Sequence, residues 1–162
     1  MDYLWSPWRF HYVSEGVKSG DCVFCRVGGA ETSRDRELKV LHRGRHNLVV
    51  LNIYPYNPGH IMIAPCAHMA DFCALPVETL AEMMELSQTS IAALEASYHP
   101  HGYNLGLNLG ASAGAGVADH LHLHIVPRWT GDASFITVLG ETRVLPEDLD
   151  TTYDKLAGFF QK

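Results

Sequence analysis

Three imidazoles alternate with branched apolar residues in the run Asp119-His120-Leu121-His122-Leu123-His124-Ile125-Val126-Pro127-Arg128-Trp129. Alternation every second residue is the period of a β-strand, on which successive side chains point to opposite faces. The pattern predicts a strand over 119–129, with His120, His122 and His124 on one face and Leu121, Leu123 and Ile125 on the other. Same-face neighbours on a strand lie about 6.5–7 Å apart. Three rings at that spacing can serve one polyphosphate and its surroundings but cannot all crowd onto one phosphorus. On a helix the same side chains would point in three directions. Imidazole is neutral near its reference pKa of about 6.5, so such rings suit nucleophilic attack, proton handling or metal ligation. A solvated face, a His-x-His metal site like that of a carbonic-anhydrase or cupin strand, and an accidental His-rich tract are the other readings of the pattern.

Two further stretches carry chemistry. Cys22-Val23-Phe24-Cys25 places two thiols at a spacing that suits one tetrahedral zinc, which needs two more ligands. The surplus histidines are available to complete it. A thioredoxin-type redox pair needs a βαβ setting, of which there is no sign, and two buried structural thiols are the plain alternative. The other cysteines are Cys66 and Cys73; without an export signal, disulfides are not expected. Ala111-Ser112-Ala113-Gly114-Ala115-Gly116 directly precedes the histidines. A chain this short of Cβ atoms lets a ligand approach the backbone, whose amides can cradle phosphate oxygens. An ordinary flexible turn is the alternative.

The elements that must position these groups read as one domain over 1–162, without internal repeat or linker. The 162 residues are 47% hydrophobic and 19% charged, enough for a real core. A net charge of −6 argues against a nucleic-acid partner. No apolar run reaches the length of a membrane span, and the opening Met1-Asp2-Tyr3-Leu4-Trp5 lacks the basic start and apolar run of a signal peptide, so cytoplasm is the expected location. The aromatic stretch from Leu4 to Val13 suits a segment capping the core, with Trp8 or Arg9 beside a pocket as the sharper reading. Residues 28–37 are polar and read as a loop. Strands are expected over 38–41, 47–53, 60–65 and 103–110, with turns at 43–46 and, rich in proline and glycine, at 54–59. Leu80, Met83, Met84, Ser87, Ile91, Leu94 and Tyr98 recur at three- and four-residue spacing, which predicts an amphipathic helix from Pro76 to about Tyr98. A short strand over 135–138 and a closing helix over 146–160 complete the chain. His99 and His101 read as loop residues without a role.

The His-φ-His-φ-His-φ-φ run, with φ apolar, resembles the signature of the histidine triad (HIT) superfamily of nucleotide hydrolases and transferases. The likeness extends from about Cys22 to Arg128. The opening Leu-Trp-x-Pro-Trp-Arg-x-x-Tyr and the Ala-Gly-rich run before the triad resemble the bacterial branch related to diadenosine tetraphosphate phosphorylases. The resemblance implies an α+β fold with an antiparallel sheet of about five strands, one long helix packed on it and a C-terminal helix. On that view 1–21 is an aromatic extension, 22–128 the HIT core and 129–162 a C-terminal segment. It implies a structural zinc held by Cys22, Cys25, His68 (of Pro65-Cys66-Ala67-His68) and His120. It also implies a homodimer joined through helix and strand edges.

For the reaction, the resemblance makes His122 the nucleophile on the α-phosphorus of a dinucleoside polyphosphate, with a covalent nucleotidyl-histidine resolved by water or inorganic phosphate. His124 and His60 would bind phosphate and orient His122. Asn52, eight residues before His60 in Asn-x-x-x-x-x-Pro-Gly-His, would hold the ribose hydroxyls. Asn108 and Ser112, with the amides of the loop that includes Gly116, would hold non-bridging oxygens. Trp129 would border the substrate and Val50 or Ile53 the base. Arg128 suits either the second nucleotide's phosphates or a surface charge. One departure stands out: many relatives carry Gly-Gln and then Ser or Thr before the triad to assist the leaving group, where this chain has Ala115-Gly116-Val117. That weakens a second reading, nucleoside phosphoramidate hydrolysis. A third reading is a nucleotide-binding protein without turnover.

Overall fold

The computed structural model describes residues 22–133 and 146–161. The aromatic opening segment, with Trp8 and Arg9, and the strand expected over 135–138 lie outside the described residues. Five strands, β1 (Val40–Arg43), β2 (Asn47–Leu51), β3 (Ile61–Pro65), β4 (Gly102–Leu107) and β5 (Leu123–Arg128), form one antiparallel sheet in the order β1-β2-β3-β5-β4. The helices are α1 (Val23–Gly28), α2 (Asp35–Leu38), α3 (Val77–Tyr98) and α4 (Leu149–Ala157). This is the expected α+β arrangement.

Strand alternation sorts the side chains onto two faces. Val49, Leu51, Ile61, Ile63, Leu123 and Ile125 point to one side, where they pack with Met83 and Leu94 of α3 and Leu156 of α4. Leu48, Val50 and Ala64 point to the other, where Phe24 and Val27 of α1 cover them. Burial on both faces is why β2 reads as the unbroken apolar run Leu48-Val49-Val50-Leu51. The Glu82 carboxylate of α3 accepts the Arg45 and His46 backbone N–H groups and the Asn47 amide, tying the long helix to the β1–β2 turn.

Gly59 sits at the end of the turn that delivers His60. Its φ is +76°, and a Cβ there would lie 2.6 Å from Cδ2 of the fully buried Leu94. Gly59→Ala is expected to lower unfolding free energy by about 1–3 kcal/mol, the sum of left-handed strain and a core that cannot yield freely. Urea titration measures it.

Three expectations need correction. The polar stretch 28–37 contains a 3-10 turn, Thr32–Arg34, and the one-turn α2; elements this short carry no periodicity to read. The first strand accordingly starts at Val40, after Lys39 turns through a left-handed conformation at φ 59°. The triad strand starts only at Leu123. Before it, the Leu121 N–H donates to the Met69 carbonyl at 2.8 Å, outside the sheet ladder. His120 and His122 therefore approach the sheet on irregular chain, and only His124 lies on the strand.

Candidate active site and metal centre

Each triad histidine has a different environment, and hydrogen bonds assign the protons. His120 is buried, and its Nε2 lies 2.8 Å from the Pro65 carbonyl. A carbonyl only accepts, so Nε2 carries the proton and Nδ1 keeps its lone pair. That Nδ1 lies 3.2 Å from the Cys22 sulfur and 3.6 Å from the Cys25 sulfur, and the His68 Nδ1 lies 3.3 Å from the Cys25 sulfur. Zinc–sulfur and zinc–nitrogen bonds at a tetrahedral angle place S and N about 3.5 Å apart. The four donor atoms all lie within 4.8 Å of one another. The donor set is therefore the right kind, number and spacing for one zinc with no position left for substrate, and the Pro65 carbonyl fixes the His120 tautomer that such a metal needs.

His122 does the reverse. Its Nδ1 donates to the His120 carbonyl at 2.9 Å, which leaves the lone pair on Nε2. Burial holds its pKa below the ordinary histidine value. The ring is thus neutral at neutral pH, with one unprotonated nitrogen.

His124 and His60 form a pair. The Tyr56 backbone N–H donates to the His60 Nδ1 at 3.1 Å, so the His60 proton sits on Nε2 and points at the His124 Nδ1, 2.9 Å away. His124 then carries its own proton on Nε2. The His122 and His124 rings are 4.8 Å apart, nearly perpendicular at 71°. Side by side stand a lone pair on His122 and an N–H on His124, a base or nucleophile next to a donor. Burial first, and the neighbouring His122 second, push the His124 pKa down to about 4. The unfolded chain therefore binds a proton that the folded chain refuses between about pH 6.5 and 4, and stability falls as pH drops through that window. His124→Gln should remove about 1–3 kcal/mol of this acid-side loss. Denaturant titrations of both proteins at pH 5 and 7 measure the difference.

The structure separates the remaining candidates. Asn52 is buried beside His60: its Oδ1 accepts the Tyr54 N–H at 2.9 Å and its Nδ2 lies 3.3 Å from the His60 Nδ1. Asn108 lines a cavity of about 310 Å³ that opens beside His124, together with Asn57, Asn104, Gly106 and Arg128. That volume lies at the lower end of small-molecule pockets. Ser112, in the 3-10 turn Ala111–Ala113, and Gly116 are exposed on the loop before the triad and do not line the cavity. Nor does Trp129, which packs edge-to-face on Tyr98 with centroids 6.5 Å apart. Arg128 is held by Asp132, through Nε at 2.6 Å and Nη2 at 2.8 Å, while its Nη1 donates to the Asn104 Oδ1 at 2.7 Å. His101, assigned no role, accepts the Thr130 N–H at 3.0 Å and so fixes the chain just after Trp129.

Among the residues of the site that sequence reasoning leaves without a role are Asp132 and Phe24. Asp132 is a hub, accepting from Arg128, from Asn57 at 3.0 Å and from the Trp129 N–H at 3.2 Å. Phe24 packs its ring 5.2 Å from His120 and 5.0 Å from His122. Its place between the two cysteines is the only sequence signal for it.

Comparison with known proteins shows what the chain is similar to. A HIT domain matches residues 34–131. The chain is 40% identical over 162 residues to a Mycobacterium tuberculosis protein named AP-4-A phosphorylase, covering 97% of this chain and 83% of that one. Among solved structures, a zinc-bound histidine triad family protein from Mycobacterium smegmatis superposes with a TM-score of 0.68 at 32% identity, covering 86% of this chain and 93% of that one. A histidine triad nucleotide-binding protein from Sulfolobus tokodaii gives a TM-score of 0.66 at 26% identity, covering 86% and 92%. Among the described residues no helix is long and apolar enough to cross a membrane.

Proposed function

The chain belongs to the HIT-domain family, and from that membership we propose that it is an enzyme that splits dinucleoside polyphosphates at the α-phosphate through His122. The observation that carries this reading is the His122 tautomer: with Nδ1 donating to the His120 carbonyl, the Nε2 lone pair is available for attack. A bond forms from Nε2 to the α-phosphorus as the bond to the bridging oxygen breaks, and the remaining polyphosphate departs with the electron pair. Water or inorganic phosphate then attacks the same phosphorus and returns the pair to His122. The Nε2–H of His124, held by the His60 relay, is aimed to stabilise negative charge on the phosphoryl oxygens. Asn52 is assigned to the ribose and Asn108 to a phosphate oxygen; Ser112, Gly116 and Trp129 are assigned to substrate from the family resemblance, since they do not line the cavity beside His124.

The chemistry of the leaving group favours polyphosphate over phosphoramidate. An amine must be protonated to depart, whereas a phosphate leaves as the anion it already is at neutral pH. Where relatives place an assisting hydroxyl, this chain has Val117, packed against the α1-side core. A phosphate leaving group tolerates that loss.

We assign zinc to Cys22, Cys25, His68 and His120, supported by the donor distances. When bound, the metal supplies a cross-link between α1 and the chain entering β5 and no chemistry at substrate. The same reading includes pairing of two chains through helix and strand edges; among the described residues β4 ends the sheet, and its Leu105 is 45% exposed. A monomer in sedimentation contradicts the pairing. Incubation with diadenosine tetraphosphate, with and without inorganic phosphate, tests the activity. Release of nucleotide is expected, and its dependence on phosphate separates phosphorolysis from hydrolysis. No release under either condition overturns the proposal.

A further inference from the structure

The nucleophile of this site poses a restraint problem. A nitrogen that must attack cannot be tied down by a hydrogen bond, so the His122 ring is held only through its other nitrogen and by packing. Among the described residues two rings pack on it: His124, and Phe24 at 5.0 Å with an interplanar angle of 35°. Phe24 is 5% exposed and also lies against the metal ligand His120.

The helix that carries Phe24 cannot hold it unaided. α1 has six residues, and its N-cap, Cys22, makes no side-chain capping bond. A helix of that length is unstable alone. Its carboxyl end is clamped by Arg43, which donates to the Gly28 carbonyl at 2.8 Å and the Val27 carbonyl at 3.1 Å, while Asp35 grips the same guanidinium at 2.7 Å. Its amino end, where Phe24 packs over Leu48, Val50 and Ala64, is anchored further by Cys22 and Cys25 on either side of that ring, through their contacts with His120 and His68.

We propose that Phe24 is a positioning residue for His122: held between two metal-binding cysteines, its ring keeps the imidazole oriented, so that a metal remote from substrate sets the readiness of the nucleophile. The proposal rests on reading His122 as the nucleophile, but its main test needs no substrate. Loss of the metal loosens the amino end of α1, the Phe24 ring shifts on the apolar residues beneath it, and the His122 ring is released to rotate off the His120 carbonyl. A free imidazole prefers its proton on Nε2, the atom that must be bare, so release also masks the lone pair. Misplacement of a reacting group by about 1 Å can lower turnover on the order of 100-fold.

The experiment is nitrogen–proton correlation spectroscopy of the histidine rings at fixed pH, on the full chain as purified, after chelation, and in Phe24→Leu. The metal-loaded native protein should show His122 as the Nδ1–H tautomer. Chelation should shift it toward Nε2–H or broaden it by exchange, and Phe24→Leu should do the same with its metal still bound. Turnover adds an independent arm: chelation should slow the native enzyme at least tenfold and slow Phe24→Leu by much less, because the two perturbations share one route. An unchanged His122 signature in Phe24→Leu overturns the proposal, as do losses from chelation and substitution that multiply in full. If chelation unfolds the chain, the metal-loaded Phe24→Leu spectrum decides. A native chain that turns over no substrate, with the spectroscopic pattern intact, refutes the assigned activity and leaves the coupling standing.

Discussion

His122→Ala should lower turnover of diadenosine tetraphosphate by about 10³-fold or more while nucleotide binding survives. The size follows from the role. A group that forms a bond to phosphorus cannot be replaced by a positioning residue, and the adjacent His124 is unsuited to substitute. Its Nδ1 lone pair is occupied by the His60 Nε2–H at 2.9 Å, and its Nε2 carries a proton. Binding should survive because Asn52 and His60 flank the turn between β2 and β3, and the cavity beside His124 is lined from that turn, β4 and β5, not by the His122 ring. Steady-state kinetics and equilibrium nucleotide binding on the same variant measure the two halves. Turnover within tenfold of the native enzyme would refute the assignment of the nucleophile, and a native protein that binds nucleotide without turnover would make it a binder.

Cys22→Ala/Cys25→Ala should abolish the metal, taking the content of purified protein from about one zinc per chain to none. Two imidazoles alone do not hold zinc in competition with solvent. Both cysteines are at least partly exposed, so the substitutions open no cavity, and any stability loss comes from the missing cross-link. That loss should appear as a fall in melting temperature of about 10 °C or more. The sheet and α3 keep their own core of Leu51, Ile61, Ile63, Met83, Leu94 and Ile125, so the fold itself should persist in circular dichroism. Full zinc occupancy in the variant would overturn the ligand set.

The triad was legible because its alternation names both the residues and the period, and the long helix because seven side chains repeat at helical spacing over Val77–Tyr98. The metal set came from two sources: the Cys22–Cys25 spacing pointed to zinc, and the family resemblance singled out His68 and His120 among ten histidines. What stayed hidden depends on register and tertiary contact. The His60–His124 pair exists because β3 and β5 align with Met62 opposite His124, and no local pattern encodes that register. The strand expected over the whole triad begins only at Leu123, because His122 folds back onto the His120 carbonyl, an irregularity that alternating sequence cannot reveal. Phe24 was read only as part of a metal-binding spacer, since α1 is too short to show a face. Asn52 illustrates the reverse limit: the resemblance singled it out for the ribose, but neither its place beside His60 nor its bonds to Tyr54 and His60 were legible.

The most direct test is to quench the protein with acid-free denaturant milliseconds after mixing with diadenosine tetraphosphate and to locate nucleotide on the digested chain by mass spectrometry. A phosphorus–nitrogen bond survives such treatment, and adenylate is expected on His122 alone. Turnover in the same sample with adenylate on another side chain, or with none on the chain at any time point, would contradict a reaction routed through the bare nitrogen of His122.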